Sequence, residues 1–195
     1  MFLTCMRARP RSETRRRRRD GFTLAEVLVS VAIVTVLAAA TVPTIQSRMT
    51  AARGQALANE LLSIQKGLNA FRTNVGNFPK NLDYLTAMGT DKICTGIPAV
   101  SFTAGAQLLW RGPYLSRIIT ANYSPDGTST IQDRLTYLPG PPPQADVTIT
   151  SVDAAVAAVV EDIIDGPGQV YTGGSFIWDS NTLQADFRFP APLCP

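Results

Sequence analysis

The sequence predicts an α+β protein: one long N-terminal α-helix followed by a small head built on an antiparallel β-sheet. Three observations predict it. From Phe22 to Val42, twenty-one residues carry a single charge, Glu26. Beyond Pro43, apolar residues recur at mostly three- and four-residue steps as far as Val75, the period of an amphipathic helix. The last third changes to short alternating runs separated by Gly, Pro, Asn and Asp, the pattern of strands and turns. With 195 residues and 45% hydrophobic content, the chain has room for one ordinary domain besides the helix.

As a helix, the segment Phe22 to Val42 runs about 30 Å, the thickness of a bilayer core. Its eleven Leu, Ile, Val and Phe residues favour insertion by roughly 3 to 7 kcal/mol, against about 3 kcal/mol for a charge at mid-helix. Glu26 lies near one end, where the cost is smaller, so insertion wins. Pro43 removes a backbone donor and is expected to kink or loosen the helix. After it, Ile45, Met49, Ala52, Ala56, Leu61, Ile64, Leu68, Phe71 and Val75 form a stripe expected to pack on the head. Gly54 and Gly67 each weaken this half by about 1 kcal/mol relative to Ala. From Phe22 to Phe71 the rod would reach about 75 Å. Val75-Gly76-Asn77-Phe78-Pro79 then supplies a capping glycine and a proline, which end it.

In the head, Leu82, Leu85 and Met88 predict a short helix, and Ile131 to Leu138 and Val147 to Thr150 predict strands flanking the proline run 140–143. From Val152 to Ile164 the apolar positions Val156, Val159, Val160, Ile163 and Ile164 predict a helix, with Thr150 and Asp153 placed as a capping box. Asp165-Gly166-Pro167-Gly168 breaks it. A hairpin follows, Ser175 to Trp178 with Thr182 to Phe189, in which Leu183, Ala185, Phe187 and Phe189 point inward. Trp110 and Trp178 read as packing aromatics.

Composition narrows the chemistry. The chain has no His, which removes Ser-His-Asp, Cys-His and zinc-His arrangements. No phosphate-binding loop or dinucleotide fingerprint occurs. A net charge of +3 for the whole chain, against +6 for the first twenty-one residues with their eight Arg, leaves −3 for the rest. Arg15 to Arg19 therefore read as a positive-inside anchor and not as a nucleic-acid patch. Met1 and Met6 are equally good starts. Cys5 falls in the basic segment, and the even pair Cys94 and Cys194 on the far side of the membrane predicts one disulfide, with two buried free thiols as the alternative.

The residues around Gly21 resemble the cleavage and methylation signature of type IV prepilins and type II secretion pseudopilins. In that family a basic leader ends in Gly, a peptidase cuts after it, the new N-terminal Phe is N-methylated, and the fifth mature residue is Glu. Gly21, Phe22 and Glu26 stand at those positions, Thr23 and Leu24 continue the agreement, and Pro43 is the twenty-second mature residue. The GNFP at 76–79 is similar to the G-x-Y-P after the long helix of many pseudopilins, and Gly112-Pro113-Tyr114-Leu115 to a second such element. The resemblance implies a pilin fold in four parts: a leader at 1–21, a transmembrane and assembly helix at 22–43, its amphipathic half at 44–75, and a periplasmic or extracellular head at 76–195. Glu26, costly alone in lipid, becomes tolerable beside the amine of Phe22 on a neighbouring subunit; the alternative is that it snorkels to the interface.

The role implied is that of a structural subunit and not an enzyme, anchored in the inner membrane and then assembled into a type II secretion pseudopilus. Its partners would be prepilin peptidase, copies of itself, other pilin-like subunits, the assembly platform and, before assembly, lipid; no nucleic acid is expected. Glu26 argues for a place inside the shaft, because tip-capping pseudopilins typically lack it. No cofactor is expected, although Asp153, Glu161, Asp162 and Asp165 offer oxygen ligands of the kind that bind calcium in the major pseudopilin. A type IV pilus subunit for adhesion, motility or DNA uptake shares the same N-terminus. A secreted soluble protein, cut by signal peptidase at the A-x-A of Ala38 to Ala40, is a third reading, and a twin-arginine signal at Arg18-Arg19 a fourth.

Overall fold

The computed structural model describes residues 21–93, 100–168 and 174–191. Contacts divide the chain into two units, Met1–Pro43 and Thr44–Pro195. Helix α1, Leu24–Val75, contributes to both.

In the first unit every described residue is exposed. The polar residues of the apolar run are satisfied within the helix. The Ser30 hydroxyl donates to the Glu26 carbonyl (2.7 Å), that of Thr35 to Ala32 (2.8 Å) and that of Thr41 to Leu37 (3.1 Å). These hydroxyls carry no unmet bond into an apolar medium. The helix continues through Pro43.

In the second unit, α1 supplies the long side of the core. Leu57, Ala58, Leu61, Ile64, Leu68, Phe71 and Val75 are buried. The stripe predicted from sequence is corrected at its start: Ile45, Met49 and Ala52 are exposed, and burial begins at Gly54. The reason is the position of helix α3, Ala154–Ile164. A Cβ on Gly54 would lie 2.6 Å from the Val159 side chain, so the missing side chain lets α3 approach α1 closely. The glycine that weakens the isolated helix by about 1 kcal/mol thus creates a packing site. At Gly67 a Cβ would stand 3.3 Å from Leu115. Gly76 ends the helix as expected, with φ +91° and its N–H donating to the Arg72 carbonyl (2.8 Å).

After α1, a 3-10 turn at Leu82–Leu85 buries both leucines. It is shorter than the helix predicted to Met88. Strands β1 (Asp91–Lys92) and β2 (Val100–Ser101) pair antiparallel, and α2 (Ala104–Leu108) starts on the Thr103 hydroxyl, which accepts from the Ala106 N–H (3.2 Å). None of these three was predicted, because two- to five-residue elements carry too few side chains to show a period.

The main sheet has strands β3 (Thr130–Leu138), β4 (Gln144–Thr150), β5 (Phe176–Asp179) and β6 (Gln184–Pro190), in the antiparallel order β3-β4-β6-β5. Ile131, Leu135, Ala145, Val147, Ile149, Phe176, Ala185, Phe187 and Phe189 alternate toward the core and join the buried stripe of α1 in one cluster. A long N-terminal helix packed on a four-stranded antiparallel sheet is the α+β, pilin-like arrangement.

Two local expectations are corrected. Leu183 is 48% exposed, with φ +53°, and belongs to the turn before β6 and not to its inward face. Its carbonyl accepts from the Val152 N–H (2.9 Å), which fixes it there. The cap of α3 is Asp153 itself, whose carboxylate accepts from the Ala155 N–H (2.8 Å), without Thr150.

Candidate processing and assembly site

Gly21, Phe22 and Thr23 precede the first turn of α1 without regular structure. Phe22 is 83% exposed, and an exposed, non-helical backbone is what a protease needs around a scissile bond. The Thr23 hydroxyl accepts from the Glu26 N–H (3.3 Å), so Thr23 acts as the N-cap and Glu26 stands at the third helical position. Thr23-Leu24-Ala25-Glu26 is the T-x-x-E spacing of a capping box. That signal was present in the sequence, and the reading for assembly missed it.

Glu26 consequently has a second physical reason to be where it is. A carboxylate in the first turn complements the helix dipole, whereas an amine freed at Phe22 would oppose it. The first unit also presents a shallow apolar groove lined by Val29, Ala32, Ile33, Val36 and Leu37. By length and composition this part of α1 can cross a membrane, and its apolar window has no buried residue. Ala38 to Ala40 lie inside the uninterrupted helix.

The remaining predicted sites are in the second unit or outside the described residues. Cys94 and Cys194 both lie outside them. Two of the four acidic residues that offer calcium ligands have structural tasks. Asp153 caps α3, and Asp165 accepts from the Ser175 and Phe176 N–H groups (2.8 Å each). Glu161 is buried, and burial, followed by the charge of Asp165, raises its pKa; Asp162 is exposed. Among the described residues no group of three or more His, Cys, Asp and Glu is placed to hold a metal ion.

Sequence reasoning also missed Asp146. It lies in β4 between core residues Ala145 and Val147, pointing to the other face of the sheet, opposite Arg188 of β6. It is buried, and its Oδ1 and Arg188 Nε have no partner among the described residues. Burial, with the charge of Asp186 adding to it, pushes its pKa up to about 6, against the pull of Arg188.

A long helix with an apolar, capped first half and a sheet-bearing head make up a pilin-like arrangement. Residues 16–42 match the family model of the prokaryotic N-terminal methylation motif, the N-terminus of type IV pilins and pseudopilins. No curated protein and no solved structure matches the chain. The motif and the pilin-like fold together point to a type IV pilin-like subunit. Proteins with this motif are substrates of prepilin peptidase, generally non-enzymatic, and assemble into filaments.

Proposed function

We propose that this chain is a subunit of a type II secretion pseudopilus, cleaved after Gly21 and N-methylated at Phe22. The observation that carries the reading is the match over residues 16–42, continued by a helix whose Thr23 cap sets Glu26 one turn from the new amine. In the membrane the apolar helix holds the subunit by its 22–43 segment. On assembly it leaves lipid for a bundle of like helices, where Glu26 of one copy meets the Phe22 amine of another. That ion pair is favourable because neither charge has water to replace its partner. Pro43 loosens the helix where the anchor ends, and Cys94 pairs with Cys194 in the exported head. The GNFP element after α1 favours a secretion pseudopilus over a surface pilus.

The test is the mature N-terminus, read by mass spectrometry from cells with and without the prepilin peptidase. An N-methylated Phe22 that depends on the peptidase is expected. A start near Thr41 would overturn the reading in favour of a conventionally secreted protein.

A further inference from the structure

Two exposed surfaces of the second unit are carried on opposite flanks of α1. Helix α3 crosses α1 at Gly54, and the segment following α2 crosses it at Gly67, through Leu115. These glycines are thirteen residues apart, which places the two crossings about 20 Å apart along the helix and about 140° apart around it. The segment at Gly67 is held by its aromatic residues. The Tyr114 ring packs on Phe71 (5.6 Å) and Trp110 (5.9 Å), and its hydroxyl accepts from Asn74 Nδ2 and the Arg111 N–H, at 2.8 Å each. This rigid base carries Leu108, 83% exposed, Leu109, 52% exposed, and the exposed Arg111, whose side chain has no partner among the described residues.

Helix α3 turns Val156, Ala157 and Val160 to the core and leaves Ala155, Ala158 and Asp162 exposed. The Asp162 carboxylate likewise has no partner among the described residues. One flank therefore offers a cation beside large apolar side chains. The other offers an anion beside a flat face of alanines that large side chains can cover.

Given the filament reading, we propose that the heads of neighbouring copies join through these two surfaces, Leu108, Leu109 and Arg111 of one copy docking on Ala155, Ala158 and Asp162 of the next. The occupant is a second copy of this chain because the two flanks carry opposite charges, Arg111 on one and Asp162 on the other, so each complements the other and neither complements itself. Such a contact is heterologous. It cannot close as a two-fold dimer and instead continues from copy to copy, each displaced along the helix axis. Apolar burial supplies attraction, and the Arg111 to Asp162 pair sets orientation and register.

Charge reversal in the full chain tests it, with filaments collected by sedimentation after shearing and the mature N-terminus checked in parallel. Arg111→Glu and Asp162→Arg are expected each to reduce the sedimented fraction about tenfold, as like charges set against each other across an interface do. The double variant R111E/D162R should recover most of it, because the pair is restored with reversed polarity. Both positions are exposed, so each single variant keeps the wild-type unfolding midpoint. Assembly unaffected by either single variant, or a double variant no better than the singles, overturns the proposal. Loss with Arg111→Glu alone also overturns it, pointing to a lipid or foreign protein at the leucine surface. Failure of the filament reading is separately visible: the wild type then yields no sedimenting polymer and no methylated Phe22.

Discussion

Replacing Asp146 by Asn should flatten the pH dependence of the head's stability between about pH 4 and pH 7. Asp146 is buried, faces Arg188 across the β4/β6 pair, and lies near Asp186, which forms a 3.7 Å ion pair with that arginine. Its pKa rises from 3.8 in the unfolded chain to about 6 in the fold, first through burial and then through Asp186. In that window the native state binds more protons than the unfolded one, so stability falls as pH rises and the contribution is lost above the folded value. The gap corresponds to a ceiling of about 3 kcal/mol. Solvent screening at the face of a sheet reduces this to about 1 to 2 kcal/mol. The variant carries no charge to bury, so it should equal the wild type near pH 4 and exceed it by about 1 to 2 kcal/mol near pH 7. Other carboxylates titrate as well. Asp83 is raised by burial and Asp133, whereas Asp126, despite its burial, is lowered by bonds from Thr128 and Ser129. They are common to both proteins and cancel in the difference. Urea unfolding of the full chain in detergent, followed by the fluorescence of Trp110 and Trp178, both in the head, reads the effect. Parallel curves for the two proteins from pH 4 to pH 8 would refute the reasoning.

Gly54→Leu should destabilise the head by about 2 kcal/mol, read as a lower urea midpoint, although it improves helix propensity, because its side chain must displace Val159 of α3. A neutral or stabilising result would show that α3 does not pack there. Asp165→Ala should cost about 1 to 3 kcal/mol by leaving the Ser175 and Phe176 amides without their acceptor, and hydrogen exchange at Phe176 should accelerate; unchanged protection would count against the bond. Glu26→Gln should leave cleavage after Gly21 intact while reducing sedimented filament about tenfold, since the amide cannot form the ion pair. Normal assembly would remove Glu26 from that role. Cys194→Ser should destabilise the exported protein by up to about 4.7 kcal/mol if a loop of about 100 residues is closed; identical midpoints with and without reductant in the wild type would exclude the disulfide.

Much of the second unit was legible because its elements are long enough to show a period. β3, α3, β5 and β6 appear within a few residues of their predicted places, and Gly76 caps α1 as expected. β4 begins three residues earlier than predicted, at Gln144, because Ala145 and Asp146 are poor strand formers and only pairing with β3 and β6 makes them strand. Leu183 reads as inward by alternation, yet the turn takes it. The N-terminal methylation motif was more legible than the head, since it is written in contiguous residues.

The sequence by itself determined the apolar helix, the processing motif and the α+β class, because each depends on neighbours along the chain. Only the tertiary structure decided where burial on α1 begins, why Gly54 is tolerated, and that a carboxylate is buried at Asp146. Those outcomes depend on which residues meet across the fold: α3 against α1, and β4 between β3 and β6. Contacts between segments far apart in the chain leave no period to read.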